Sequence, residues 1–385
     1  MTTVYTLPER LRGIITEEDI RFARKILEDC TRATSSNGLP HPYIIPGVCP
    51  SQKNDYGDLC WSLDYALAAE GTMLFDKRAG HEFLVNMLAW QKDDGRVPLY
   101  TPDRFAGHPN ITRPIGSLPK FMQTSFDAAV LSGDPEDCRM AYELIRKNLA
   151  WWFKNRLDRK TGLITAVFEE TFIPNTEADA YIYAPMDTNI EVFLGCLHAA
   201  SLAEKLGQSD AAAVYRKDAN SILRAVRHYC YDEEDGFFYP YVIPKHERYK
   251  VRMASGFLGF YLNDPVISAR LLSHLTNDAA FGWDTYPLTS VSKLDPLFTV
   301  TKGDYAFNAS WQGCVWMLTN DAVIRALRFA ALDDTADVLA VRTLRAFRSN
   351  CAEFLDPFTG KGYGMLHYAW TAGLFLRIVY GEFDH

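Results

Sequence analysis

An acidic turn closing on glycine recurs along this chain, and the spacing of its copies limits the architecture more than any other feature. It reads KDDGRVPLY at Gly95, LDRKTGLITA at Gly162, YDEEDGFFYP at Gly236 and LDPFTGKGYG at Gly360. Successive glycines lie 67, 74 and 124 residues apart, the last interval being about two units, with TKGDYAF at Gly303 near its midpoint. Common solenoids repeat every 20–50 residues or so, too short for this period. The unit holds two helices and two loops. A helix that runs into an Asp-x-x-Thr/Asp-Gly turn stops there, with glycine supplying the left-handed backbone. Over 385 residues the unit repeats about six times. The expected fold is all-α, an (α/α)6 toroid with inner and outer rings of helices. It is read as a single domain over residues 1–385, with 1–40 an N-terminal extension or first helix. Its working residues belong on the loops at one end of the inner ring.

Apolar residues at helical spacing support the toroid. Met140, Leu144, Leu149, Trp152 and Phe153 share one face, as do Val192, Phe193, Cys196 and Leu197. Further helices are expected near 210–229, 264–276, 311–331, 334–354 and 367–380, whereas strand signals are few and short.

Composition narrows the function. The formal charge of −8 and the absence of a Lys/Arg run exclude nucleic acid, which needs a basic face. No apolar run approaches a membrane span, and the opening MTTVYTLPERLRG does not read as a secretory signal, so a cytoplasmic protein is expected. Eight scattered cysteines without CxxC pairs or zinc-ligand spacing read as buried free thiols, with no metal and no cofactor. The 8 Trp, 20 Tyr and 23 Phe leave rings over for a cleft after the core is filled, and such rings stack on sugars.

Three segments are irregular, aromatic and acidic together: DYGDLCWSLDY (55–65), VFEETFIPNTEADAYIYAPMDTN (167–189) and CAEFLDPFTGKGYGMLHYAW (351–370). The middle one carries Glu169, Glu170, Glu177, Asp179 and Asp187 without Lys or Arg. Carboxylates crowded together raise one another's pKa. A raised carboxyl facing an ionised one across a ring-lined pocket is what glycosidic cleavage requires. A solvated acidic loop is the ordinary alternative, but it gains little by exposing Phe168, Phe172, Tyr181 and Tyr183.

At this point the residues resemble a known group. The stretch from Ala352 to Trp370 is similar to the last motif of glucoamylases, trehalases and processing α-glucosidases, six-hairpin (α/α)6-barrel glycoside hydrolases. In that motif a Glu precedes an Asp-x-x-Thr-Gly turn, and the resemblance implies that Glu353 is the general base. YAFNASWQGCVWML resembles their Tyr/Trp-Arg-Gly-x-Val-Trp segment, which implies subsite roles for Trp311, Gly313 and Trp316, with Gln312 in place of the usual Arg. CWSLDYAL is similar to the Trp-x-x-Asp motif of glucoamylases, so Trp61 and Asp64 inherit sugar contacts. Without the resemblance, Asp64 reads equally as a helix N-cap.

The general acid is less sharply marked. Phe168-Glu169-Glu170 resembles the Trp-Glu-Glu motif and favours Glu169, with Glu170 and Asp187 as alternates. In trehalase-like families the acid is an Asp further along, where this chain has Ile173 or Pro174. APMDTN resembles a pocket-shaping Val-Asp-Leu-Asn segment. The implied activity is inverting hydrolysis of a small soluble α-linked glycoside, an α-glucoside by default, with a mannoside or glycosyl-glycerate as alternatives. Trp61, Trp311, Trp316 and Trp370 would stack on the sugar, and Asp64, Asp187, Asn189 and Gln312 would hold hydroxyls. Tyr183 and His367 complete the expected lining. Two other readings use the same toroid: an epimerase of the acylglucosamine 2-epimerase type, with His198 and His367 as acid and base, and a non-catalytic sugar-binding relative. The expected partner is a small carbohydrate, with neither nucleic acid nor membrane, and the oligomeric state stays open.

Overall fold

The computed structural model describes residues 7–34, 38–53, 57–101, 115–167, 169–171, 183–300 and 311–381. Phe168, Phe172, Ile173, Pro174, Glu177, Asp179, Tyr181 and Gly303 lie outside the described residues. The helices that build the rings are α1 (Glu17–Cys30), α2 (Ser62–Met73), α3 (Arg78–Trp90), α4 (Phe121–Ser132), α5 (Pro135–Asn155), α6 (Met186–Lys205) and α7 (Ser209–Tyr229). A 3-10 helix (Ala254–Leu262) follows, then α8 (Pro265–Leu275), α9 (Met317–Phe329), α10 (Asp333–Phe347) and α11 (Ala369–Tyr380). Alternate members form the inner ring. There α2 packs on α4, α4 on α6, α6 on the 3-10 helix, the 3-10 helix on α9, α9 on α11, and α11 back on α2. The helices between them, α1, α3, α5, α7, α8 and α10, pack outside as the second ring. The architecture is the (α/α)6 toroid that the repeat predicts.

The two rings differ in sequence for a physical reason. Inner helices meet protein on every side, and most of their residues are apolar or small: Met317–Leu327 of α9 and Ala369–Val379 of α11 are buried without a break. Outer helices alternate buried and exposed faces, and three of the six begin with side-chain caps. Thr16 and Asp19 form a capping box at α1, Asp134 caps α5 ahead of Pro135, and Asp264 caps α8 ahead of Pro265.

The inner elements all start at one end of the toroid, where very short strands and single bridges link the connecting segments. The bridges include Gly47–Tyr368, Ala166–Tyr183, Met253–Val291, Thr289–Val315 and Val315–Leu355, and Cys60–Trp61 pairs with Tyr100–Thr101. The glycines of the repeated turn do adopt positive φ: Gly95 at 93°, Gly162 at 76°, Gly236 at 65° and Gly360 at 68°. They sit in turns several residues beyond an outer helix, not at its cap. Asp232 and Asp356 accept backbone N–H groups there and fold the chain into hairpins. Two helices are also shorter than their apolar patterns predict. α9 starts at Met317 because Val315 bridges two neighbouring segments, and α10 ends at Phe347 before the chain turns into the hairpin that carries Glu353.

The interior contains charge as well as apolar side chains. Arg325 of α9 contacts Glu70 of α2, Asp321 of its own helix at 3.1 Å and Asp127 of α4 at 3.6 Å. Arg377 of α11 pairs with Asp321, and Thr124 donates to Glu70 at 2.9 Å. Beside them Lys120 meets Glu191 at 3.1 Å. Burial pushes Asp127 up to about 7 against the opposing pull of Arg325.

The ring closes where α2 and α11 cross, and small residues permit the contact. A Cβ on Gly373 would lie 2.5 Å from the Leu67 carbonyl and 2.7 Å from the Ala68 Cα, and one on Gly71 would meet the Gly373 Cα at 2.6 Å. The obstructing atoms are backbone, so neither helix can yield locally. Gly373→Ala is expected to cost about 2 kcal/mol or more, read as a lower denaturation midpoint at unchanged slope; an unchanged midpoint would mean that the ring closes elsewhere.

Candidate active site

Three carboxylates meet at this end of the toroid, in the collar of short strands and bridges. Glu353 lies just before the hairpin in which Phe354–Leu355 pairs with Gly362–Tyr363. Its N–H donates to the Met365 carbonyl at 2.9 Å, and the Met365 N–H donates to Glu353 Oε2 at 3.1 Å. Gly364 packs against this carboxylate: its φ is +68°, and a Cβ there would stand 2.3 Å from Glu353 Oε2. Only glycine allows the returning strand so near.

Asp64 occupies the first turn of α2, but Trp61 is the N-cap, so Asp64 is not the capping residue that its position suggested. Burial pushes Asp64 up to about 8, helped by the charges of Glu353 and Glu169 and opposed by a hydrogen bond from Tyr368. Its Oδ1 is buried without a hydrogen-bond partner among the described residues. An orphaned acceptor there has the chemistry to receive a ligand hydroxyl.

Glu169 and Glu170 are adjacent in sequence and opposite in circumstance. Glu170 is fully buried and held by Arg156 through two bonds of 2.7 and 2.6 Å, by the Gly116 N–H at 2.8 Å and by the Val167 N–H at 3.2 Å. The Arg156 and Gly116 bonds tie the loop to neighbouring segments, and the Val167 bond closes the loop on itself. Glu169 is only half-buried as a residue, and its backbone is left-handed at φ 65°, a strained conformation for glutamate. Low solvation of its carboxyl and the charge of Glu353 push it up to about 7. The loop is pinned on both sides, by the Leu118 N–H on the Glu169 carbonyl at 3.2 Å and by the Thr188 hydroxyl on the Glu170 carbonyl at 2.6 Å.

The expected aromatic residues pack on one another. Trp311 stacks flat on Trp316 at 3.9 Å and 1°, and Trp316 meets Phe354 at 4.8 Å and Trp370 at 5.8 Å. Trp370 also stands edge-on to Tyr368. Trp61 leans on Tyr100 at 4.8 Å, and Gln312 is buried beside Trp311.

Other expected lining residues have partners within the protein. Asn189 takes the Ile164 N–H at 2.8 Å and donates to the carbonyls of Ile164 and Pro185, so its amide fixes a loop. Asp187 accepts the Thr171 hydroxyl with both oxygens at 2.9 Å, beneath the Glu169 loop. Tyr183 packs in a small separate core with Val242, Met253 and Val291. His367 lies edge-on to Phe22 of the outer helix α1 at 5.3 Å. His198 stacks on Phe126 and bonds Gln123 at 2.9 Å, and burial with Arg325 and Lys120 nearby pushes it down to about 3. The two histidines of the epimerase reading thus have unrelated surroundings. Sequence reasoning missed Tyr368, Gly364 and Gln52, the last of which bonds both Gly364 and Leu366.

Among the described residues no His, Cys, Asp and Glu group is arranged to hold a metal, and no helix is long and apolar enough to cross a membrane. The family described as Mannosylglycerate hydrolase MGH1-like glycoside hydrolase domain matches residues 177–371, slightly more than half the chain. A mannosylglycerate hydrolase of Rubrobacter radiotolerans is 26% identical over 185 residues, covering 47% of this chain and 40% of that protein. Its counterpart from Thermus thermophilus is 32% identical over 154 residues, covering 38% and 34%. The chain thus aligns with well under half the length of these curated relatives. Among solved structures, the GH63 mannosylglycerate hydrolase from Thermus thermophilus in complex with Tris and D-glycerate matches with a TM-score of 0.72 at 19% identity, over 93% of this chain and 99% of that one. Neutral trehalase from Saccharomyces cerevisiae gives 0.65 at 14%, over 92% and 76%. At these identities the structural likeness establishes the fold.

Asp64 and Glu169 both titrate above their unfolded values of about 4. The folded state therefore holds protons that the unfolded chain releases, and stability falls as pH rises through the window up to about 8 and about 7. Glu169→Gln and Asp64→Asn should each raise Tm relative to wild type, by a margin that widens between pH 5 and pH 8.5. A margin independent of pH, in differential scanning fluorimetry, would remove the proposed protonation from these sites.

Proposed function

Since the chain belongs to the MGH1-like glycoside hydrolase family, we propose that it cleaves a small α-linked glycoside with inversion, Glu353 acting as general base and Glu169 as general acid. The observation that carries this reading is the pairing of the two glutamates: burial of its carboxyl, with the charge of Glu353 adding to it, pushes Glu169 up to about 7, where a general acid can hold its proton near neutral pH. Glu169 donates its proton to the leaving oxygen. Glu353, steadied by the Met365 N–H, takes a proton from a water on the opposite face of the sugar ring. The water attacks the anomeric carbon as the glycosidic bond breaks, so the configuration inverts. Such a geometry calls for carboxyl groups about 6.5–9.5 Å apart.

Asp64, protonated over much of the same pH range, is suited to hold a sugar hydroxyl through its orphaned Oδ1. Trp311, backed by the flat stack on Trp316, offers an apolar platform for the C–H face of the sugar. The names of the curated relatives support a glycosyl-glycerate over the default α-glucoside, because both are called mannosylglycerate hydrolases.

A panel of α-mannosyl-D-glycerate, α-glucosyl-D-glycerate, trehalose and aryl α-glycosides tests the proposal, with the product anomer followed by NMR. Inverted product is expected, and Glu353→Gln and Glu169→Gln should each lower kcat by about a thousand-fold. An activated aryl leaving group should restore much of the Glu169→Gln rate and little of the Glu353→Gln rate, since only the acid assists departure. The kcat/KM of the wild type should decline as pH rises through about 7, where Glu169 loses its proton. No cleavage across the panel, or retained anomeric configuration, would defeat the assignment.

A further inference from the structure

We infer that Gln52 is a positioning residue for the Glu353 carboxylate, acting through the loop that folds over it; its catalytic meaning rests on Glu353 being the base proposed above. Residues 46–52 form a strap laid along 364–369. The Ala369 N–H donates to the Pro46 carbonyl at 2.7 Å, the Val48 N–H donates to the His367 carbonyl at 3.2 Å, and Gly47 bridges Tyr368. A Cβ on Gly47 would lie 2.7 Å from the His367 carbonyl oxygen, so the strap can lie this close only with glycine there. At its end the Gln52 amide uses both of its functions on one loop. Nε2 donates to the Gly364 carbonyl at 2.9 Å, and Oε1 accepts the Leu366 N–H at 2.8 Å.

Those two bonds flank Met365, whose N–H and carbonyl are the groups that grip Glu353. Gly364, at positive φ and without a side chain, has nothing of its own to fix the loop. The bracket therefore comes from outside, from a residue 312 positions away. A glutamine merely lying on a surface would satisfy one end with water; here donor and acceptor close on the two peptide units that flank the Met365 Cα, the same units whose N–H and carbonyl grip Glu353. Losing the bracket would let the Met365 N–H drift from the carboxylate, which loses a hydrogen bond to its charged form.

The test uses the full chain with Gln52→Ala, Gln52→Asn and, as a near-isosteric apolar replacement, Gln52→Met. Selective 13C labelling, assigned through Glu353→Gln, follows the Glu353 carboxyl titration without any substrate. The expected result is an upward shift of about one pH unit in Gln52→Ala and Gln52→Met, smaller in Gln52→Asn. Amide exchange of segment 362–368 should quicken about ten-fold or more in parallel. With α-mannosyl-D-glycerate or an aryl α-glycoside from the panel, kcat should fall about ten- to a hundred-fold with little change in KM, and the acid limb of the pH profile should move with the titration. An unmoved Glu353 titration with unchanged exchange overturns the inference whatever the activity. A lower Tm with an unmoved titration also overturns it, by reducing Gln52 to a structural contact. A wild type that cleaves nothing while the Gln52 variants shift the titration overturns instead the hydrolase reading and leaves the bracket standing.

Discussion

A toroid of buried helices has to place its charges in matched sets, and the group around Arg325 is where this chain does so. Glu70, Asp127 and Asp321 surround that guanidinium, and Arg377 shares Asp321. These side chains come from α2, α4, α9 and α11, four of the six inner elements. Removing one partner from such a cluster strands the others in a poorly solvating interior, where an uncompensated charge costs several kcal/mol. Asp127, pushed up to about 7, can carry a proton and relieve the excess of acid over base. The cluster is thus tied to the order in which inner helices follow one another, because Glu70, Asp127 and Arg377 meet their counterparts only across particular helix pairs.

The end that carries Glu353 inverts that arrangement of charge. Around Arg325 acids face bases; around Glu353 acids face each other. Asp64 and Glu169 are both held above their ordinary range there, and the residue carrying Glu169 adopts a left-handed backbone. These are destabilising arrangements, and they persist because the neighbouring peptide groups are fixed by Glu170, Asn189 and Asp187. Those three polar residues are locked into guanidinium, backbone and hydroxyl contacts respectively, which brace the loop. Strain at the working residues and rigidity beside them are two parts of the same design.

The ring was legible in the sequence because its cause is local. Each Asp-to-Gly turn folds on its own side-chain to backbone bonds, so the period survives in the letters even where helix ends shift by several residues. The proposed role of Glu353 has a similar source, the turn that this residue is set next to. The distinction between Glu169 and Glu170 was not legible. Two identical side chains differ only through Arg156, Gly116 and Val167, and no pattern in the string says which of the pair an arginine fourteen positions upstream will choose. Asn189 and Asp187 look the same as ligand-binding residues until their partners are known. Gln52 lay beyond reach altogether, since its two bonds cross most of the chain and strand-like straps leave no periodic signal.

The eight cysteines close the account in a different currency from catalysis. Every one is a free, buried thiol, and they are spread around the molecule: Cys30 on α1, Cys49 in the strap, Cys138 and Cys196 on α5 and α6, Cys230 after α7, and Cys60, Cys314 and Cys351 in the collar. Burial also holds several of these thiols above the normal cysteine range, which keeps them in the unreactive form. The chain therefore carries a set of built-in clocks, each silent until its own sector of the toroid opens. The order in which they become reactive would write out, sector by sector, how a closed ring of helices comes apart.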